Sequence, residues 1–174
     1  LFQHKGTHTI KFIAKDSKGR TSYTPLTVRS SDDPPVVGPN IVWTDKSGSK
    51  TYDFGKRYNH NEVEIVIDVT SQTGVTGFEI DIISDNVLTP GELIEVGLNS
   101  HLDLANPGEY QTALEGLGFP TGANVQGQQS LSFDISGFMS LLTILNKEGN
   151  CDFKLTVSDA SGTNVKTIQL YVTK

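Results

Sequence analysis

Trp43, Tyr52, Phe54, Tyr58 and His60 lie close together in this chain and are interleaved with Asp45, Lys46, Asp53, Lys56 and Arg57. Aromatic faces stack on sugar rings while polar neighbours bond the hydroxyls, so a stretch of this composition meets the physical requirement of a glycan platform. Trp43, Tyr52, Tyr58 and His60, with Tyr110 further along, are therefore the candidate ligand-binding residues. The candidate partners are surface or host glycans, or another surface protein. A competing reading puts Trp43 in a core, with Tyr52 and Phe54 sharing one strand face.

Other chemistries find little support in the residue pattern. His4, His8, His60 and His101 are scattered, with no cysteine or carboxylate partners at zinc-ligand spacing. No G-x-S-x-G elbow, phosphate-cradling loop or dinucleotide fingerprint is present. Glu79 and Asp81 resemble the carboxylate pair of a glycosidase in type, but they fall on the polar face of an alternating strand, where charged residues are expected anyway. Asp32 and Asp33 lack the further acidic residues that a calcium site of six to eight oxygens requires. The reading is a non-catalytic protein with no catalytic residue, metal site or cofactor.

The elements that must position these residues follow from alternation. Cys151, Phe153, Leu155 and Val157 alternate with Asp152, Lys154, Thr156 and Ser158, the period of a strand with one buried and one solvated face. Ile168, Leu170 and Val172 continue the pattern after Asp159-Ala-Ser-Gly162, a turn sequence, so a hairpin is predicted. The same unit occurs near the start: GTHTIKFIAKDSKG (Gly6 to Gly19) lines up with GNCDFKLTVSDASG (Gly149 to Gly162). Ile10, Phe12 and Ala14 form its inner face, with His8 in the same parity, and a one-residue gap brings Leu26 and Val28 onto Leu170 and Val172. Asp16 and Asp159 are read as turn formers.

This repeat implies residues 1–30 as the closing strands of a truncated domain, a Pro-rich linker over 31–39, and a complete domain over 40–174. In that domain strands are predicted at Asn40 to Thr44, Lys50 to Phe54, Glu62 to Thr70, Phe78 to Ile83 and Leu131 to Ile135. A long insertion over about 85–128 carries two helix starts, Thr89-Pro-Gly-Glu92 and Asn106-Pro-Gly-Glu109, each with a cap, an N1 proline and an N3 glutamate. Its Leu93, Ile94, Val96, Leu98, Leu114 and Leu117 suggest a packed subdomain. A third helix from Ser136 to Lys147 has Phe138, Leu141, Leu142 and Leu145 on one face, with Gly149 placed to end it. About seven strands result, and the economical architecture is a mainly β sandwich with short helices inserted in one connection.

The charge is −6 and no lysine–arginine cluster occurs, which excludes a nucleic-acid partner. The longest apolar run, near Met139 to Leu145, is far short of the roughly 20 residues that span a bilayer. The chain opens on Leu1 without an initiator methionine and is read as a piece of a longer protein.

The strand, D-x-x-G turn, strand arrangement, present as IKFIAKDSKG and FKLTVSDASG, resembles the last hairpin of bacterial immunoglobulin-like and PKD-like extracellular modules. LTPGELIEVGLNSHLDLANPGEYQTALEGLGFPTG followed by SLSFDISGFMSLL is similar to segments of surface lipoproteins of gut bacteria with tandem immunoglobulin-like domains, a family without an established activity. The resemblance implies an immunoglobulin-like sandwich on the bacterial cell surface, lipid-anchored through a missing N-terminus, in an adhesion, assembly or spacing role. A carbohydrate-binding module is the alternative. Antibody-type domains place one half of their inter-sheet bridge on the strand that holds Cys151, but the single cysteine is read as a small buried apolar residue.

Overall fold

The computed structural model describes residues 6–30 and 38–174, which fall into two compact units. The predicted linker residues 31–37, with Asp32 and Asp33, and His4 lie outside the described residues.

The first unit is one antiparallel hairpin, β1 (Gly6–Lys15) and β2 (Thr21–Ser30). Asp16 shapes its turn: Oδ1 accepts from the Lys18 and Arg20 amides at 2.9 and 2.8 Å. Gly19 takes φ +80°, which an L side chain resists. Phe12, on the predicted inner face, is 58% exposed.

Among the described residues the second unit carries eight strands in two sheets. One sheet has the order β3 (Asn40–Thr44), β5 (Val66–Thr70), β8 (Ser130–Asp134), all antiparallel. The other has the order β4 (Arg57–Asn59), β10 (Gly162–Val172), β9 (Gly149–Asp159), β6 (Val75–Ser84), β7 (His101–Asp103). All its neighbours are antiparallel except β4, which runs parallel to β10. Ile41, Trp43, Ile67, Val69 and Phe133 from the first sheet face Phe78, Ile80, Phe153, Leu155 and Leu170 from the second, all buried. The layers touch directly, with the Phe78 and Phe133 rings 5.6 Å apart. Withdrawing each such side chain from water contributes roughly 1.5–3 kcal/mol, which drives the two sheets together.

Three helices decorate the sandwich: α1 (Pro90–Glu95), α2 (Gln111–Gly116) and α3 (Ser136–Ile144). The predicted capping box forms at α1: Thr89 Oγ1 accepts from the Glu92 amide, and the Thr89 amide donates to Glu92 Oε2 at 2.9 Å. Lys147 reaches the other oxygen of Glu92 at 2.6 Å. Together these contacts hold the Glu92 carboxyl down at about 2. In α3, Phe138 and Leu142 are fully buried and Leu141 and Leu145 half-buried, as the stripe predicts.

Several sequence expectations need correction. Lys50 to Phe54 is not a strand; only Thr51 bridges to Thr44, and the chain then turns at Asp53, whose Oδ1 accepts from the Gly55 amide. The predicted strand from Glu62 begins at Val66, because residues His60–Glu62 wind into a 3-10 turn capped by Asn59. Asn106 does not cap a helix: its amide and Nδ2 donate to Asp103, and a 3-10 turn, Gly108–Tyr110, leads into α2. The helix ends before Gly149: Asn146 takes φ +49° after α3, and Gly149, at φ +148°, opens β9. The insertion is packed, as its apolar residues suggest, but onto the sandwich core, which Leu93, Leu98, Leu114 and Phe119 join, while Ile94 is 70% exposed.

The repeat also aligns differently from its sequence register. Ile10 pairs with Leu26, whereas its equivalent Phe153 pairs with Ile168. Leu26 therefore corresponds to Ile168 and Val28 to Leu170. The gap reverses sense because β1 and β2 are joined by a longer turn than β9 and β10, where Asp159 pairs directly with Gly162. A two-residue slip keeps every side chain on its face, so alternation alone cannot detect it.

Candidate functional site

The structure draws three of the five candidate ligand residues, Trp43, Tyr52 and Tyr58, together with Phe54 into one aromatic cluster on the core. Trp43 has no exposed surface, Tyr52 is 6% exposed, and Tyr58 is half-buried against them. Trp43 stands 4.9 Å from Tyr52 and edge-on to Tyr58 at 5.3 Å. Its Nε1 donates to the Glu64 carbonyl at 2.9 Å, satisfying the one polar atom of a buried indole. A ring without exposed surface offers no face to a sugar, so the core reading of Trp43 is the one the geometry follows.

The charged residues around this cluster are engaged within the protein. Lys50 lies over Tyr52 at 4.4 Å, Lys56 over Tyr58 at 4.9 Å and Lys166 over Phe54 at 5.8 Å. Lys46 pairs with Asp134 at 3.2 Å. Arg57 grips Asp152 with both terminal nitrogens at 2.6 and 2.9 Å and also donates to the Leu170 carbonyl, which pins the short strand β4 to the sheet. Asp45 folds its own turn, accepting from the Lys50 amide. His60 is 4% exposed; its Nδ1 accepts from the Thr173 amide at 3.4 Å and its Nε2 has no hydrogen-bond partner among the described residues. A shallow cleft of about 350 Å³ remains beside the cluster, lined by Val42, Phe54, Asn164 and Lys166 among others.

Tyr110 goes elsewhere. It is half-buried in the 3-10 turn before α2 and lines a cleft of about 400 Å³ with Asn99, His101, Asp103, Asn106 and Glu109. The opposite wall is β7, the edge strand that the insertion adds beside β6. His101 stands across from Asp81, and its Nδ1 meets Asp81 Oδ1 at 2.7 Å, while Lys154 holds the other carboxylate oxygen at 3.0 Å. Asp81 raises the His101 pKa, helped by Glu79 and Asp103, and the two cations lower that of Asp81.

No family model, curated protein or solved structure matches the chain. What the site can do is therefore read from its own geometry.

A histidine oriented through Nδ1 by a carboxylate presents Nε2 outward, an arrangement able to accept or donate a proton. The cleft lining carries no serine, threonine or cysteine among the described residues. Glu79 and Asp81 both sit half-buried on the outer face of the five-stranded sheet, as their strand parity predicts. Cys151 is fully buried on the inner face, and burial pushes its thiol up to about 12, away from the reactive thiolate. Among the described residues no group of histidine, cysteine and carboxylate side chains is arranged to hold a metal ion, and no helix is long and apolar enough to cross a membrane.

The sequence reading passed over Asn99 and Asp103, took His101 as one of four scattered histidines and assigned Glu109 to a helix start. A signal was present in His101-Leu-Asp-Leu104, where Leu102 and Leu104 are buried and alternate with the two polar residues. That alternation marks a strand, but it spans too few residues to stand out inside a segment dominated by helix starts.

Proposed function

We propose that this chain belongs to a tandem array of immunoglobulin-like domains at a bacterial cell surface and acts there as a non-catalytic spacing and adhesion module. The observation that carries the reading is where the polypeptide enters and leaves the second unit. Gly38 passes so close to the β9–β10 turn that a β-carbon on it would lie 3.3 Å from backbone atoms of Gly162 and Thr163, and Asn164 Nδ2 donates to the Pro39 carbonyl at 3.0 Å. Entry is thus at the start of β10. Exit is at its other end, where Thr173 contacts His60. The steps from the first to the last of the eleven residues of β10, at about 3.3 Å each, separate the two points by roughly 33 Å. A domain strung from opposite poles extends a chain when repeated, whereas one with neighbouring ends would fold the array back.

Two further features support this reading. The order β10-β9-β6 in one sheet and β3-β5-β8 in the other corresponds to strands G-F-C and A-B-E of an immunoglobulin-type sandwich, with Cys151 on the F-strand equivalent. The D-x-x-G hairpin recurs in both units, with Asp159 Oδ1 accepting from the Ser161 and Gly162 amides much as Asp16 accepts in its own turn.

Small-angle scattering on the chain alone and on two copies fused head to tail tests the spacing role. The maximum dimension is expected to grow by at least about 33 Å on fusion. A fused pair whose maximum dimension barely exceeds that of one chain overturns it.

A further inference from the structure

We propose that the cleft between β7 and the Gly108–Tyr110 turn is a binding site for an uncharged pyranose unit of a glycan. Its volume of about 400 Å³ falls at the lower end of the ligand-pocket range of roughly 300–1,000 Å³, a size for one or two sugar rings. The lining combines one aromatic ring, Tyr110, with polar groups from a different element, the edge strand β7. Rings and hydroxyl partners on facing walls are what a sugar, apolar on its C–H face and polar at its rim, requires.

The polar groups are held in place before any ligand arrives. His101 is fixed by Asp81 at 2.7 Å, and Asn99 Oδ1 accepts from the His101 amide at 2.8 Å. Asp103 accepts from the Asn106 amide at 2.9 Å, and Asn106 is itself braced by Gln126 at 2.9 Å. The bonds of His101 and Asn99 leave His101 Nε2 and Asn99 Nδ2 unused, and Glu109 and Tyr110 line the same cleft from the turn. Sugar hydroxyls both donate and accept, so this mixed set is matched. Side chains already ordered lose little freedom on binding, which favours affinity.

Charge narrows the class. Asp103 and Glu109 line the cleft, with Glu79 and Asp81 behind His101, against Lys154 as the one permanent cation of this cluster among the described residues; the chain as a whole carries −6. Uronic and sialic acids would meet this surface with repulsion, while carboxylates accept well from neutral hydroxyls.

The test uses the full chain, labelled with ¹⁵N, titrated with maltotriose, cellotriose, xylotriose, lactose and N,N′,N″-triacetylchitotriose, and in parallel with digalacturonate and 3′-sialyllactose. At least one neutral sugar is expected to give saturable shifts centred on residues 99–110. Tyr110→Ala and Glu109→Ala should each weaken that sugar at least about tenfold, and Lys166→Ala, at the other cleft, should change it less than about twofold. Tyr110 also packs on the core, so Glu109, which is exposed and makes no hydrogen bond or ion pair among the described residues, carries the test if the tyrosine variant misfolds. The proposal is overturned if no neutral probe saturates below about 10 mM, if an acidic sugar binds more tightly than every neutral one, or if the shifts map away from the cleft.

Discussion

Burial lowers the pKa of His60, with the Tyr171 backbone offsetting only part of the effect, while the Asp81 carboxylate raises that of His101. The two therefore bend the stability curve in opposite directions. His60 resists protonation when folded, so the unfolded chain binds the extra proton below about pH 6.5 and stability falls as pH drops from there toward the folded value. His101 gains its partner when folded, so its contribution is complete below about pH 6.5 and disappears as pH rises through its raised pKa. His60→Leu is expected to flatten the loss of melting temperature between about pH 7.5 and 5.5, and His101→Asn to steepen it. Thermal melts across that window check both signs; a steeper acid loss in His60→Leu would mean that the buried imidazole is already charged. The aromatic residues show a different limit at this scale. Tyr52 and Phe54 share a strand-like parity, and their sequence says that they lie on one side but not what covers that side. Trp43, supplied by a different segment, decides it, and that is a tertiary fact.

Among the elements, the β5–β6 turn is the most constrained connection. Gly74 has φ +89°, and a β-carbon there would lie 2.8 Å from the Gly127 carbonyl oxygen. The close approach serves pairing: Gly127 donates to the Val75 carbonyl at 2.8 Å, Val75 to Gln128 at 2.9 Å and Ser71 to Gln129 at 2.9 Å, fastening the turn to the lead-in of β8. Gly74→Ala combines left-handed strain with a backbone clash and is expected to cost about 2 kcal/mol or more. Urea unfolding of the variant measures it, and a loss under about 0.5 kcal/mol would show that the turn relaxes freely. Hairpins, the α1 capping box and the α3 stripe were legible beforehand because each is specified by neighbours within a few residues. By contrast, β4 and β7 have three residues each, too few for a period, and their partners β10 and β6 lie far along the chain or across a loop. Arg57 was visible as a charge beside aromatics; its role as the clamp on β4 required Asp152 to arrive from β9. The cleft escaped notice for the same reason, since one wall is an edge strand and the other a turn.

For the molecule as a whole, the distribution of buried side chains decides which part folds by itself. Every residue of the described hydrophobic core, from Ile41 to Val172, belongs to the second unit, and both of its sheets take all their strands from the same stretch. The hairpin of the first unit pairs only with itself among the described residues and leaves Phe12, Ile13 and Tyr23 about 60% exposed. Two strands alone are marginal in water, whereas two packed sheets closed by α3 bury enough apolar surface to offset the chain entropy. A protein spanning residues 36–174 is therefore expected to unfold cooperatively, with a melting temperature within about 4 °C of the full chain, the shift produced by roughly 1 kcal/mol in a domain of this size. Calorimetry on the two proteins side by side makes the comparison. A molten or aggregating product would show that residues 6–30 complete the core of the second unit, and would place the domain boundary upstream of the repeat instead of after it.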